Sequence, residues 1–153
     1  MKKLLIAILV TLITNTTMAF AVTKDADSAI HLLGKMEANL WESAAAVYFH
    51  IADHTRGSQR IALNDYQDDI DTMDRVIDTM ENLNLSDQDR VTIAKIKNSW
   101  LSIKAMSREL IKIDVVQEKA VPIEDSKLRR YWLAVESLDH LIDEEIRALA
   151  GKH

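Results

Sequence analysis

Cationic side chains gather near predicted helix ends, and their chemistry suits the binding of a small anion. Arg56 and Arg60 flank the start of the second predicted helix, Arg108 lies near the end of the third, and Arg129 lies at the start of the fourth. Cations in the first turn of a helix oppose its dipole at a cost of about 0.3–1 kcal/mol each, so their placement there indicates a binding role. The simpler interpretation is that they are exposed side chains that pair with neighbouring acids.

Histidines and methionines offer a second kind of site. His50 and His54 lie four residues apart on one helix face, the spacing at which two imidazoles can share a divalent metal, although the other ligands must come from other helices. A b-type haem needs inward-facing axial histidine or methionine. The candidates for that role are Met36, Met73, Met80, Met106 and His140. Methionines at such spacing more often fill a core, so metal or haem binding is the alternative function.

Acidic residues form two further patterns. Glu37 and Glu145 occupy inward heptad positions, and we expect them to extend to solvent near the helix ends; the alternatives are pairing with Lys35 or Arg147, or a polar pocket. The second predicted helix carries a carboxylate stripe made of Asp68, Asp69, Asp71, Asp74, Asp78 and Glu81. Such a stripe is usually a solvated face, and the alternative is a docking surface for a basic partner.

Composition excludes several classes of function. The net charge of −5 argues against a nucleic-acid partner, and the absence of cysteine rules out disulfides and c-type haem attachment. The sequence contains no nucleophile with its base, Gly-rich phosphate loop or carboxylate pair set for hydrolysis. We therefore expect a protein that is not an enzyme.

The amino terminus resembles a secretory leader. Lys2 and Lys3 precede the apolar run 4–13, and Ala19-Phe20-Ala21 supplies a small-x-small cleavage signal. The apolar run has about 10 residues, against the roughly 20 that span a bilayer, so a retained anchor is the weaker alternative. We expect a signal peptide over 1–21, a mature protein beginning at Val22 in the periplasm, and a single domain over 22–153.

Four segments carry helical periodicity, and they position the candidate residues. The segments begin at about Asp27, after Gly57-Ser58, at Ser86 and at Asp125 or Ser126, and the fourth ends at Gly151. The second has an unbroken register from Leu63 to Met80, and Ser86 with Asp89 resembles a capping box. Two tight turns and one longer loop predict an all-α, antiparallel, up-down-up-down four-helix bundle. In that bundle the basic residues converge at one end.

The segment Gly57-Ser58-Gln59-Arg60-Ile61 resembles the G-x-Q-R-M core of the anion-binding helix in nitrate/PilJ-type sensory domains of bacterial chemoreceptors and histidine kinases. The similarity extends from Ala52 to Leu110 and includes Trp100 on the third helix. It implies that Arg60 contacts an anion and that Gln59 lies beside it. It also implies a sensor-domain relative that is exported without the membrane span and signalling domains of those receptors.

The expected function is that of an exported, periplasmic, sensor-like bundle that binds a small anion or a partner protein such as a membrane receptor. Arg56 and Arg60 supply charge, Arg108 and Arg129 close the site, and His54 makes binding pH-dependent. Self-association into a homodimer is compatible with this function. The third alternative is a structural or chaperone-like protein whose acidic stripe or exposed seam docks another chain.

Overall fold

The computed structural model describes the backbone of residues 2–52, 56–111 and 126–151, and the side chains of 25–52, 60–111 and 127–151. Four helices make up these residues: α1 (Lys2–Ala52), α2 (Arg56–Glu81), α3 (Asp87–Ile111) and α4 (Ser126–Ala150). Helices α1 and α3 each contact both α2 and α4, whereas α2 and α4 do not contact one another in the described structure and lie on a diagonal. The predicted antiparallel four-helix bundle is confirmed.

The core follows the predicted heptad register. On α2 the buried side chains recur at three- and four-residue steps, namely Tyr66, Ile70, Met73, Ile77 and Met80. Burying a side chain of this size stabilises the fold by about 1.5–3 kcal/mol, so the register determines which face of the helix turns inward. Leu63, which the register also placed inward, is half-buried, and the neighbouring Ala62 is buried instead.

Two helix termini were predicted correctly from their capping residues. Ser86 precedes α3, and its Oγ accepts a hydrogen bond from the Asp89 backbone N–H at 3.3 Å and donates one to Asp89 Oδ2 at 2.6 Å. Gly151 follows α4 and donates its N–H to the Arg147 carbonyl at 3.0 Å. Each pattern satisfies a backbone group that a helix end would otherwise leave unpaired.

The predicted starts of α1 and α2 were wrong. Helix α1 begins at Lys2 rather than near Asp27, because no glycine or proline interrupts the chain before Gly34. Helix α2 begins at Arg56, so Gly57 and Ser58 lie in its first turn and do not cap it. Among the described residues, no helix is long and apolar enough to cross a membrane.

Two acids of the stripe on α2 contact α3. The Asp74 carboxylate accepts a hydrogen bond from the Trp100 indole at 2.9 Å and pairs with the Lys104 ammonium, and Glu81 pairs with Lys97 at 2.7 Å. Burial alone would raise the pKa of Asp74, but the hydrogen bonds from Lys104 and Trp100 outweigh burial and hold the pKa below its usual value. Glu81 is nevertheless exposed and Asp74 is partly exposed, so the two acids remain solvated while they pair with lysines of α3.

One of the two inward carboxylates, Glu145, differs from the favoured expectation. Glu145 is 5% exposed, so it does not extend to solvent; it continues the buried row of Ile142 and Leu149 on α4. Arg147, its expected partner, pairs with Asp143 at 2.8 Å. Glu37 is half-buried, and its pKa is raised by burial and then by the charges of Asp139 and Asp143.

Candidate functional site

The predicted basic site is described only in part. Arg60, Arg108 and Arg129 are exposed, whereas His54 and the side chains of Arg56 and Gln59 lie outside the described residues. Arg108 lies close enough to Tyr66 and Asp74 for its charge to favour the ionised form of each. Arg129 borders a groove that neither Arg60 nor Arg108 lines.

That groove lies between α1 and α4 and has a volume of about 870 Å³. A volume of this size is typical of a ligand site, and the lining is mainly aromatic. The lining residues are Trp41, Ala45, Tyr48, Phe49, Leu128, Arg129 and Trp132. Phe49 is 61% exposed, and Tyr48 and Trp132 are each 41% exposed, so the groove is open to solvent.

The two tryptophans of the groove are held in place. Their rings meet edge to face, with centroids 5.5 Å apart and an interplanar angle of 64°. The Trp41 indole N–H donates to Asp139 Oδ1 at 2.8 Å, and the Trp132 indole N–H donates to Glu136 Oε1 at 2.9 Å. Because both polar edges have acceptors, the remaining ring surface is apolar and is available for packing.

Two further aromatic residues extend the groove along α1. Tyr48 and Phe49 are in edge contact, with ring centroids 6.4 Å apart. Large apolar side chains are common singly on a protein surface, but a contiguous set marks an interaction site. The sequence analysis did not identify this set. A signal was present, because Trp41, Tyr48 and Phe49 are large apolar residues outside the buried heptad positions of α1.

A second groove, of about 690 Å³, lies between α1 and α2. Phe49 and Ala45 line both grooves, so the apolar surface continues across α1 to Ile61, which is 61% exposed. We call this continuous surface the aromatic face; its residues are Trp41, Ala45, Tyr48, Phe49, Ile61 and Trp132.

The second groove also carries four carboxylates, which we call the acidic cluster: Glu42, Asp65, Asp68 and Asp69. Burial, and then the charges of Glu42, Asp65 and Asp68, raise the pKa of Asp69 to about 6. None of the described lining residues is a cation. Charge at this groove is therefore unbalanced within the described part of the bundle.

The described side chains include no group of three or more His, Cys, Asp or Glu that could hold a metal ion. His50 Nε2 lies 3.0 Å from the Ile111 carbonyl oxygen. Because a carbonyl oxygen can only accept a hydrogen bond, this ring nitrogen carries the proton. A metal ion bound at Nε2 would have to replace that proton. Met36, Met73 and Met80 are packed in the core, Met106 is half-buried, and His140 is exposed.

The aromatic face can bind an apolar surface. Among the described residues, no nucleophile and general base lie together on this face. Comparison with protein-family models, with curated proteins and with solved structures finds no match to this chain.

Proposed function

We propose that this protein is a non-enzymatic binding protein whose aromatic face holds an amphipathic helix of a partner protein. The observation that carries the proposal is the fixed Trp41–Trp132 pair beside the exposed rings of Tyr48 and Phe49. Aromatic residues are enriched among those that dominate binding energy at interfaces. Rings that are already held in place lose little conformational entropy when a partner packs on them.

The shape of the aromatic face favours a helix over a small molecule. Trp41, Ala45 and Phe49 are spaced four residues apart, so they form a row about 12 Å long on the outer side of α1. A helix that lies in a groove presents anchors at i, i+3 or i+4, and i+7, which cover a similar length. Ala45, the small residue in the middle of the row, allows the backbone of a partner helix to approach closely.

Binding of a designed peptide tests the proposal directly. The probe is a helical peptide with leucines at i, i+3, i+4 and i+7 and equal numbers of lysines and glutamates on its polar face. Calorimetry is expected to detect binding to the wild-type protein, and Phe49→Ala and Trp132→Ala are each expected to weaken it about tenfold.

The matched control is Leu101→Ala, since Leu101 is 49% exposed on α3, outside the aromatic face. This variant is expected to bind the peptide like the wild type. Absence of binding to the wild type, or an equal loss in all three variants, would contradict the proposal.

We also propose an anion site at the end of the bundle where α2 and α4 begin. It is supported by the exposed Arg60 and Arg129 near the starts of these helices, whose free N–H groups are directed to the same end. The resemblance of residues 57–61 to an anion-binding helix supports the same site.

We also propose export to the periplasm, which is supported by the resemblance of residues 1–21 to a secretory leader that ends in Ala19-Phe20-Ala21. Mass spectrometry of the native protein is expected to find Val22 at the amino terminus. An intact leader in the membrane fraction would contradict it.

A further inference from the structure

We infer that the partner helix is cationic along one edge, and that its lysine or arginine row packs against the acidic cluster while its apolar stripe covers Phe49 and Ile61. This inference rests on the proposed function, and it adds the chemistry and the orientation of the partner.

The acidic cluster comes from two helices that face one another. Glu42 lies on α1, and Asp65, Asp68 and Asp69 lie on α2, with the exposed Phe49 and Ile61 lining the same groove. A helix seated there would therefore place apolar and charged contacts side by side. Complementary charge at the border of an apolar interface steers the encounter and fixes the orientation of the partner.

These acids differ from the others on α2. Asp74 and Glu81 form ion pairs with lysines of α3, so the protein itself supplies the cations that neutralise them. In the described part of the chain, no lysine or arginine forms an ion pair with Glu42, Asp65 or Asp68. Asp69 is half-buried among these three carboxylates, and this arrangement disfavours its charge. A cation supplied by a partner would relieve that repulsion.

A second copy of this chain is a poorer occupant than a cationic helix. Among the described residues that line the groove between α1 and α4, Arg129 is the one cation, whereas the acidic cluster presents four carboxylates. Self-association through the aromatic face would thus leave most of these carboxylates unmatched, and like charges brought together across an interface oppose binding.

The test uses two charged versions of the neutral probe peptide, with the same leucines and with either lysine or glutamate flanks. Wild-type protein is expected to bind the lysine peptide at least about tenfold more tightly than the glutamate peptide at low salt, and the ratio is expected to fall as salt is added. In Asp65→Asn/Asp68→Asn the ratio is expected to approach one, while affinity for the neutral peptide stays the same.

The matched control is Asp78→Asn/Glu144→Gln, which removes two exposed acids outside the acidic cluster and is expected to keep the wild-type ratio. If the neutral peptide binds in a Phe49-dependent manner but the charged peptides bind equally, the inference is overturned and the proposed function stands. If no peptide binds, both fail. A wild-type dimer that Phe49→Ala converts to a monomer in sedimentation equilibrium would instead identify a second copy as the occupant, and would overturn the inference.

Discussion

The indole ring of Trp132 on α4 contacts that of Trp41 on α1 edge to face, at 5.5 Å between centroids, although the two residues lie 91 positions apart in the chain by their numbers. Each ring donates its N–H to a carboxylate of α4, so the pair joins the two helices through both apolar and polar contacts. The pair also forms one wall of the groove to which we assign binding. The same residues thus contribute to the packing of α1 on α4 and to the proposed function.

Two isoleucines of α2 test the register of the bundle. Ile70 is 2% exposed and Ile61 is 61% exposed. Ile70→Asp places an unpaired charge in the core and is expected to lower the free energy of unfolding by about 3 kcal/mol or more. Ile61→Asp is expected to change it by about 0.5 kcal/mol or less. Urea denaturation followed by circular dichroism measures both, and similar losses in the two variants would contradict the observed register.

Asp69 makes stability depend on pH in a defined direction. Its pKa in the folded protein is about 6, above the reference value of 3.8, so the charged carboxylate opposes folding at pH values above 6. Asp69→Asn is therefore expected to stabilise the protein at pH 8 by about 1 kcal/mol, after allowance for solvent screening, or about 3–5 °C in Tm. The gain is expected to shrink as pH falls from 6 to 3.8.

Differential scanning calorimetry of Asp69→Asn and the wild type at several pH values measures this difference. Glu144→Gln, which removes an exposed acid of α4, is the control and is expected to show no such pH-dependent gain. A gain that is the same at pH 4 and pH 8 would show that charge at Asp69 is not its cause.

Asp74 links α2 to α3 through the buried Trp100. Asp74→Ala removes the acceptor of the Trp100 indole, whose ring is 0% exposed, and is expected to destabilise the protein by about 1–3 kcal/mol at pH 7. Because the pKa of Asp74 is lowered in the folded protein, its stabilising effect is present above pH 3.8 and is lost as pH falls through the folded pKa. Thermal melts of Asp74→Ala are compared with those of Asp71→Ala, which removes an exposed acid of α2. An equal loss of stability in the two variants would contradict the role of Asp74 as a link between α2 and α3.

Arg60 tests the proposed anion site. Thermal melts with nitrate, phosphate, sulfate and small carboxylates at matched ionic strength are expected to reveal one selective stabiliser, by about 2.7 kcal/mol at a hundredfold excess over Kd. Arg60→Ala is expected to abolish that shift with little effect on the unliganded Tm, and Arg147→Ala, at the opposite end of the bundle, is expected to retain it. Equal shifts in Tm for all anions, or a selective shift that survives in Arg60→Ala, would contradict the proposed anion site.

The fold was predictable from sequence because a heptad seam depends on local spacing alone. The seam of α2 and the Ser86–Asp89 cap needed no knowledge of neighbouring helices. The aromatic face was not predictable in the same way, because the exposure of Trp132 depends on how closely α4 packs on α1. The burial of Glu145 was missed for a related reason, since solvent access at that position depends on how α1 and α3 pack on α4.

The three tryptophans provide the most direct test of the central claim, because each has a distinct indole N–H signal in a heteronuclear NMR spectrum. When the neutral amphipathic peptide is titrated into the protein, the signals of Trp41 and Trp132 are expected to shift together and to yield a single Kd. The signal of Trp100, which is buried and donates to Asp74 away from the aromatic face, is expected to remain in place. Unchanged signals for Trp41 and Trp132 at saturating peptide, or an equal shift of all three indoles, would contradict binding at the aromatic face.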